Sequence, residues 1–313
     1  MGKNIKRFKS LRTELFFIYR LLQEGYGPRY WWPYIKNRFF GNLLFRYLPR
    51  YEYVADPDLE MHTICQKKDI WMLAWMLHSF FFYSKLRPKI IIHDDGSFDS
   101  ASAKLVESKF ANTQVWLLSE RTKEVLAISD LPDIVRQARI KGYFFLYRPI
   151  DVLALSEAKK LIFHDTDILY YKPPIELMDF VAGKMNCDGL VQRLSMGSFD
   201  LMMDDYFNQK YKPDDKGAQF INGGYVILNG DKFKMEQMVE YLNHVKRPIE
   251  NYFSEMGFFA SFLAQIDFKF LSKDRYIIKG PLTDEVIMKH YTSPRRYEMF
   301  AYGIDRSRDS MKR

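Results

Sequence analysis

Between residues 60 and 164 the chain alternates short apolar runs with longer stretches in which apolar positions return every three or four residues. The short runs predict strands at Met61–Cys65, Lys89–His93 (Lys-Ile-Ile-Ile-His), Gln114–Leu118, Tyr143–Tyr147 and 160–164. The longer stretches predict helices near 69–83, 100–110, 131–140 and 151–158. Strands rich in β-branched residues that alternate with helices form a mostly parallel sheet wound with helices, so the fold class is α/β, Rossmann-like. The second half is less regular. Gly189–Gln192 and Tyr225–Leu228 read as strands, and 195–218, rich in Met, Asp and Gly, reads as loop or short helix. Asp231 is placed to cap a helix that carries Met235, Met238, Val239 and Leu242 on one face, and another helix is expected from Ser254 to Leu263.

Upstream, Ser10 is placed to cap a helix through Leu15, Ile18, Tyr19 and Leu22. Pro49 and Pro57 bracket a linker, and Asp56-Pro57-Asp58 reads as a turn. The expected organisation is a helical extension over 1–55, an α/β domain over 56–303 and a polar tail over 304–313 that frays. No internal repeat and no low-complexity segment interrupts it.

Composition narrows the setting. A 313-residue chain with 47% apolar and 17% aromatic residues can bury a sizeable core. Cys65 and Cys187 give no disulfide framework, which fits a reducing, cytoplasmic compartment. No Cys/His cluster has zinc spacing. The longest apolar run, Trp71 to Tyr83, is too short to span a membrane, and the first residues lack a signal-peptide cleavage site.

Charge is uneven. Residues 1–50 hold eleven Lys/Arg against Glu14 and Glu24, a net of +9, whereas the whole chain is +8, so the remainder sums to −1. The same fifty residues carry thirteen aromatics, Tyr30-Trp31-Trp32 and Phe39-Phe40 among them. Basic residues beside aromatics suit an anionic membrane surface, and peripheral attachment at a cytoplasmic face follows from that reading. A plain helical appendage packed on the domain fits equally. Nucleic acid is not expected as a partner.

The chemistry centres on Lys160-Leu161-Ile162-Phe163-His164-Asp165-Thr166-Asp167. Two carboxylates one residue apart at the end of a buried strand need a cation between them, and a divalent metal that also holds a diphosphate would serve. A bare Asp-x-Asp turns up about once by chance in a chain of this length. Asp56-Pro57-Asp58 is such a case. The signal therefore lies in the order of the other pieces: Asp94-Asp95-Gly96-Ser97 after the second strand, Asn222-Gly223-Gly224 before a later strand, Glu255 opening a helix, and His290 followed by Arg295-Arg296. Alone, the first two would serve as turns and His290 as a structural histidine.

Taken in order, these pieces resemble a GT-A-fold glycosyltransferase, with the nearest likeness to glycosyltransferase family 8, the group of glycogenin and bacterial lipopolysaccharide galactosyl- and glucosyltransferases. The resemblance spans roughly residues 60–300. It implies that Asp165, Asp167 and His290 bind the metal, with Thr166 between the carboxylates, and that Asn222, Gly223 and Gly224 line the sugar and acceptor side. Glu255 is similar to the acidic residue near the donor sugar, so Glu255 and Asn222 are the catalytic candidates, although Met256 replaces the usual Gln. Cys65, Gln66 and Lys67 lie where the family cradles the nucleotide base, Arg296 or Arg295 where it binds phosphate, and Arg148 near enough for the same task. Asp95 instead resembles the uridine contact of inverting family 2 transferases. The implied reaction is transfer of a hexose from a nucleotide-diphosphate sugar, a UDP-sugar, to a glycan or lipid-linked acceptor with a retaining outcome. A carboxylate/imidazole set favours Mn2+ over Ca2+ and leaves Mg2+ open. A sugar-nucleotidyltransferase and a non-catalytic membrane scaffold of the same fold are the alternatives; against the first, Gln66-Lys67-Lys68-Asp69 has no glycine.

Overall fold

The β-branched run Ile90-Ile91-Ile92 is fully buried, as a strand covered on both faces must be. The computed structural model describes residues 2–194, 203–246 and 253–312, with side chains from residue 12. Its strands are β1 (Asp56–Cys65), β2 (Pro88–Asp94), β3 (Thr113–Trp116), β4 (Lys160–His164), β5 (Ile168–Tyr170), β6 (Gly189–Arg193), β7 (Ile221–Asn229), β8 (Phe268–Phe270), β9 (Tyr276–Ile277) and β10 (Met288–His290). Seven of them form one sheet in the order β3-β2-β1-β4-β7-β6-β8, and β5-β10-β9 form a second. In the large sheet only β7 runs against the rest, antiparallel to both β4 and β6. The fold is thus α/β with a mostly parallel sheet.

Alternation along the strands divides the core. Ile162 of β4 and Tyr225 and Ile227 of β7 join one apolar cluster, and Leu161, Phe163, Val226 and Leu228 join the other. Successive side chains of a strand point to opposite faces, so each cluster covers one face of the sheet. The Ser254–Leu263 helix packs in the second cluster. The first cluster takes Phe17, Leu21, Tyr34 and Phe45 from the N-terminal helices, together with Trp71, Tyr297 and Phe300. Gly41 makes that packing possible: a Cβ there would lie 2.4 Å from Trp71 Cγ. Asn37, also buried, donates to Phe300 O at 3.0 Å and accepts from Trp71 Nε1 at 3.2 Å.

Several expectations change. Tyr143–Tyr147 is not a strand: Phe144–Leu146 is a 3-10 turn and Tyr147–Leu155 a helix. The aromatic run has strand propensity, but Pro149 in the first helical turn, with φ preset, favours the helix. The Leu118–Ala127 helix was not foreseen. Asp56-Pro57-Asp58 is not a free turn but the start of β1, where the register shifts between Asp56 and Glu60 and so accommodates proline. The first helix begins at Gly2, so Ser10 lies inside it, and the Met235–His244 helix is capped at Lys234, not Asp231. The linker around residue 51 is pinned, with the Tyr51 amide donating to Lys109 O at 2.8 Å. The tail does not fray: Ile304–Ser310 is a helix, with Ser307 Oγ donating to Tyr170 O at 3.1 Å. Part of the expected 195–218 loop, residues 195–202, lies outside the described residues. No described helix is long and apolar enough to cross a membrane.

Candidate active site

β4 ends at His164, and the chain then steps from the large sheet into the small one. Asp165 follows β4 and Asp167 precedes β5, so the two carboxylates flank the seam between the sheets. The antiparallel β4–β7 ladder sets His164 opposite Tyr225, and the Asp165 amide donates to Gly224 O at 2.8 Å. The β5–β10 ladder sets Ile168 opposite His290. His290 Nε2 thereby comes within 3.0 Å of Asp167 Oδ1 and 3.5 Å of Asp165 Oδ2. One ligand atom from each of the three residues lies within 4.8 Å of the other two, a spacing that a single cation can bridge.

Two further observations fit a metal at this point. Asp167 Oδ1 is buried and has no hydrogen-bond partner of good geometry. Gly224 leaves the space open, since a Cβ there would stand 2.4 Å from Asp165 Oδ2 and 2.6 Å from His290 Cε1. Behind the ring, His290 Nδ1 is met by Asn222 Nδ2 at 2.8 Å and Gln192 Oε1 at 3.2 Å. Gln192 is oriented by its Nε2, which donates to the carbonyls of Tyr276 at 3.1 Å and Ile277 at 3.3 Å. With Asn222 Nδ2 donating to Nδ1, the ring proton sits on Nε2 against Asp167; a metal on Nε2 would require the proton to move to Nδ1, against Gln192 Oε1, and the Asn222 amide to turn away.

Burial pushes the Asp167 carboxyl up, but the Arg296 and His290 charges and hydrogen bonds outweigh it and hold it well below the usual range. Burial works to lower His290, yet Asp167, and then Asp165, raise it. Arg296 Nε donates to Asp167 Oδ2 at 2.7 Å, and its Nη1 is 3.7 Å from Asp69 Oδ2. Burial raises Asp69 against the opposing pull of Arg296, Lys68 and Arg38. Beneath the seam, Arg148 is fully buried. It donates from Nε to Glu255 Oε1 at 2.8 Å and from Nη1 to Asp165 Oδ1 at 3.5 Å, and reaches the carbonyls of His62, His164 and Gly223. Burial raises the Glu255 pKa more than Arg148 lowers it.

The cleft above this cluster measures ≈ 290 Å³. Gln66, Asp165, Thr166, Asp167, Asn222, Gly223, Gly224, Glu255, His290 and Arg296 all line it, so most of the sequence candidates converge. Five do not. Arg148 lies under the floor with its guanidinium engaged, placed to brace Asp165 and Glu255 and not to meet phosphates. Arg295 turns to Glu298 Oε1 at 2.6 Å. Lys67 reaches Asp99 Oδ2 at 2.6 Å on the outer surface. Cys65 is buried with Sγ donating to Gln66 O at 3.3 Å, and burial pushes its thiol well up. Asp95 accepts from the Ser97 amide at 3.1 Å, and the Asp94 carboxylate accepts the amides of Gly96, Ser97, Phe98 and Leu118, so this segment is a turn. Sequence reasoning missed Gln192 and Asp69, and it read Phe144 and Phe145, which line the cleft, as strand. A polar residue near the end of an apolar strand, as Gln192 is, was the one available signal.

No protein-family profile matches the chain, and no curated protein does. Among solved structures, the bifunctional glycosyltransferase WbbM superposes with a TM-score of 0.50 at 11% identity, over 84% of this chain and 53% of that one. Mouse xyloside xylosyltransferase 1 gives a TM-score of 0.46 at 12% identity, covering 76% of this chain and 99% of that one. The galactosyltransferase LgtC, in complex with donor and acceptor sugar analogs, gives 0.45 at 12%, covering 81% and 95%. At such identities a likeness speaks for the fold and not for substrate or reaction. The chain is built on the GT-A glycosyltransferase fold.

Proposed function

We propose that the chain is a metal-dependent glycosyltransferase that moves a hexose from a nucleotide-diphosphate sugar, a UDP-sugar, to a glycan or lipid-linked acceptor with retention. The observation that carries this reading is the Asp165–Asp167–His290 triangle, within 4.8 Å, at the carboxyl end of β4. Ligands of open α/β sheets bind at that edge. A divalent ion held there, manganese or magnesium, supplies Lewis-acid stabilisation of the departing diphosphate. Arg296 stands beside Asp167 and is placed to share charge-assisted hydrogen bonds with phosphate oxygens. Gln66 and Asp69 border the side on which the nucleotide base would lie. Asn222 and Glu255 line the same cleft, and in this reading they serve the sugar and the acceptor. Arg148 holds Glu255 and Asp165 in one rigid frame, which keeps the two sides in register.

Calorimetric titration of UDP and UDP-sugars, with and without manganese, tests this on the wild type and on Asp165→Ala and Asp167→Ala. Binding should require the ion and fall at least about tenfold in each variant. Absence of nucleotide binding with any metal would sink the reading. Binding without turnover for any acceptor would favour the scaffold alternative.

A further inference from the structure

Ten of the sixteen large apolar side chains that stand exposed among the described residues lie between Leu15 and Tyr47. They are not scattered. On the Gly2–Gln23 helix, Leu15, Tyr19 and Leu22 recur at helical spacing and face outward, while Phe17 and Leu21 face the core. On the helical run from Trp31 to Phe45, Tyr34, Asn37, Gly41 and Phe45 face the domain, and Trp32, Ile35, Phe39 and Leu43 form the opposite stripe. That stripe continues to Tyr47, which is 79% exposed. A groove lined by Trp32, Phe40, Leu43, Tyr47 and Trp75, with Lys36 at its edge, runs along it. These helices thus have two apolar faces, and the fold consumes one.

The charges around the outer face select its occupant. Only two acids, Glu14 and Glu24, occur in residues 12–50, against seven Lys/Arg. Both are already engaged: Glu14 accepts from Tyr34 and Arg38, and Glu24 pairs with Arg20. Lys36 has Asp305 at 3.9 Å and Arg50 has Glu52 at 2.6 Å, whereas Arg12 and Arg46 are exposed with no carboxylate partner among the described residues. A second copy would set +5 against +5 over residues 12–50 and is opposed by repulsion. Nucleic acid would use the exposed rings for stacking, but the aliphatic Leu15, Leu22, Ile35 and Leu43 set among them offer bases nothing, whereas a bilayer interface takes both. An apolar stripe with Trp and Tyr among cations matches a bilayer interface, where aromatic rings settle at headgroup depth and Lys/Arg meet anionic lipid. Since no described helix is long and apolar enough to cross a membrane, contact would be with the helices lying in the interface.

We infer that the outer face of residues 12–50 docks on an anionic lipid surface. The face is wired to the candidate active site. Asn42 donates to the carbonyls of Lys67 at 3.2 Å and Lys68 at 3.1 Å, and Arg38 Nη1 stands 3.8 Å from Asp69 Oδ1 at the cleft border. Docking therefore holds the cleft at a fixed place relative to the bilayer, which suits an acceptor carried by a lipid; that last step rests on the glycosyltransferase reading, whereas the docking does not.

The test is sedimentation of the full chain with vesicles, without donor or metal, so that it stands apart from catalysis. Phosphatidylcholine vesicles are compared with vesicles that also hold about 30 mol % phosphatidylglycerol, at low and raised salt. Wild type should bind the anionic vesicles at least about tenfold more tightly than the neutral ones, and salt should weaken that binding. Trp32→Ser/Leu43→Ser/Tyr47→Ser, all at exposed positions, should lose at least about tenfold on anionic vesicles. Arg12→Glu/Arg46→Glu should do the same if the triple variant fails to fold, with folding checked by thermal unfolding. Wild type that stays in the supernatant, folded variants that bind as wild type does, or a concentration-dependent dimer dissolved by the triple variant would each overturn the inference. Nucleotide calorimetry on the same preparation reads the catalytic proposal independently.

Discussion

Gly224→Ala adds one carbon at the tightest point of the candidate metal centre. That carbon would sit 2.4 Å from Asp165 Oδ2 and 2.6 Å from His290 Cε1. Non-bonded heavy atoms settle near 3.5 Å, so one or both side chains must retreat by about 1 Å. Metal–ligand distances tolerate roughly 0.2 Å, so the retreat takes at least one ligand out of bonding range. The β4–β7 ladder cannot absorb it, because the Asp165 amide is bonded to the Gly224 carbonyl. Losing a ligand's correct placement costs about 10–100-fold in metal affinity, or about 1.4–2.8 kcal/mol. Overpacking should also lower stability by about 1–3 kcal/mol. Manganese affinity can be read from the paramagnetic resonance of the free ion, with urea unfolding beside it. Gly223→Ala is the control, since its Cβ would meet Met256 Cα at 3.3 Å and no ligand. A folded Gly224→Ala protein with wild-type manganese affinity would refute the placement of the ion between Asp165 and His290.

Two further outcomes follow from buried charge. Arg148→Met strands Glu255 and Asp165 without their cation, and breaking a buried pair in this way should cost about 3–5 kcal/mol in denaturant unfolding; a loss below about 1 kcal/mol would mean the guanidinium braces nothing. Burial raises the Asp151 carboxyl to about 7, against the opposing pull of Arg139 and Arg121 and with His93 Nδ1 3.5 Å away. A carboxyl raised in the fold binds its proton more tightly there than when unfolded, so it stabilises below about pH 4 and loses that contribution as pH rises to about 7, by about 4 kcal/mol at most. Asp151→Asn should flatten this part of the stability–pH curve, and a curve parallel to wild type would exclude the raised pKa.

The sequence carried the centre of the large sheet well because β2 and β4 are apolar on both faces. Ile90-Ile91-Ile92 and Leu161-Ile162-Phe163 have no alternative home in a chain of this size. The small sheet was invisible for the opposite reason: β5, β9 and β10 are two or three residues long, too short for any period to register. Its presence is what brings His290 to Asp167, so the centre could be guessed from the order of motifs but not from pattern. Lys67, Asp95 and Arg295 fell outside the cleft because residues near a site in sequence can find nearer partners, here Asp99, the Ser97 amide and Glu298. Arg148 shows the same limit from the other side. Beside a proline it looked free to reach a ligand, yet the fold spends its donors on carbonyls and carboxylates no local pattern reveals. Gln192 acts only through the far-off carbonyls of Tyr276 and Ile277, and such a role exists only after folding.

The seam between the two sheets has a consequence beyond chemistry. Asp165 belongs to the end of the large sheet, whereas Asp167 and His290 belong to the small one, to which the Ile304–Ser310 helix is fastened through Ser307 and Tyr170. An ion bound by all three would act as a rivet between two parts of the molecule that are otherwise joined by the chain crossings at 165–167, 171–188 and 271–275, by the Gln192 hydrogen bonds to Tyr276 and Ile277, and by side-chain packing. The stability of the small sheet would then follow the concentration of the free ion by mass action, while the strands from β1 to β3 would hardly notice it. Chelation would loosen one edge of the molecule before the rest, and amide exchange in Met288–Tyr291 would quicken first.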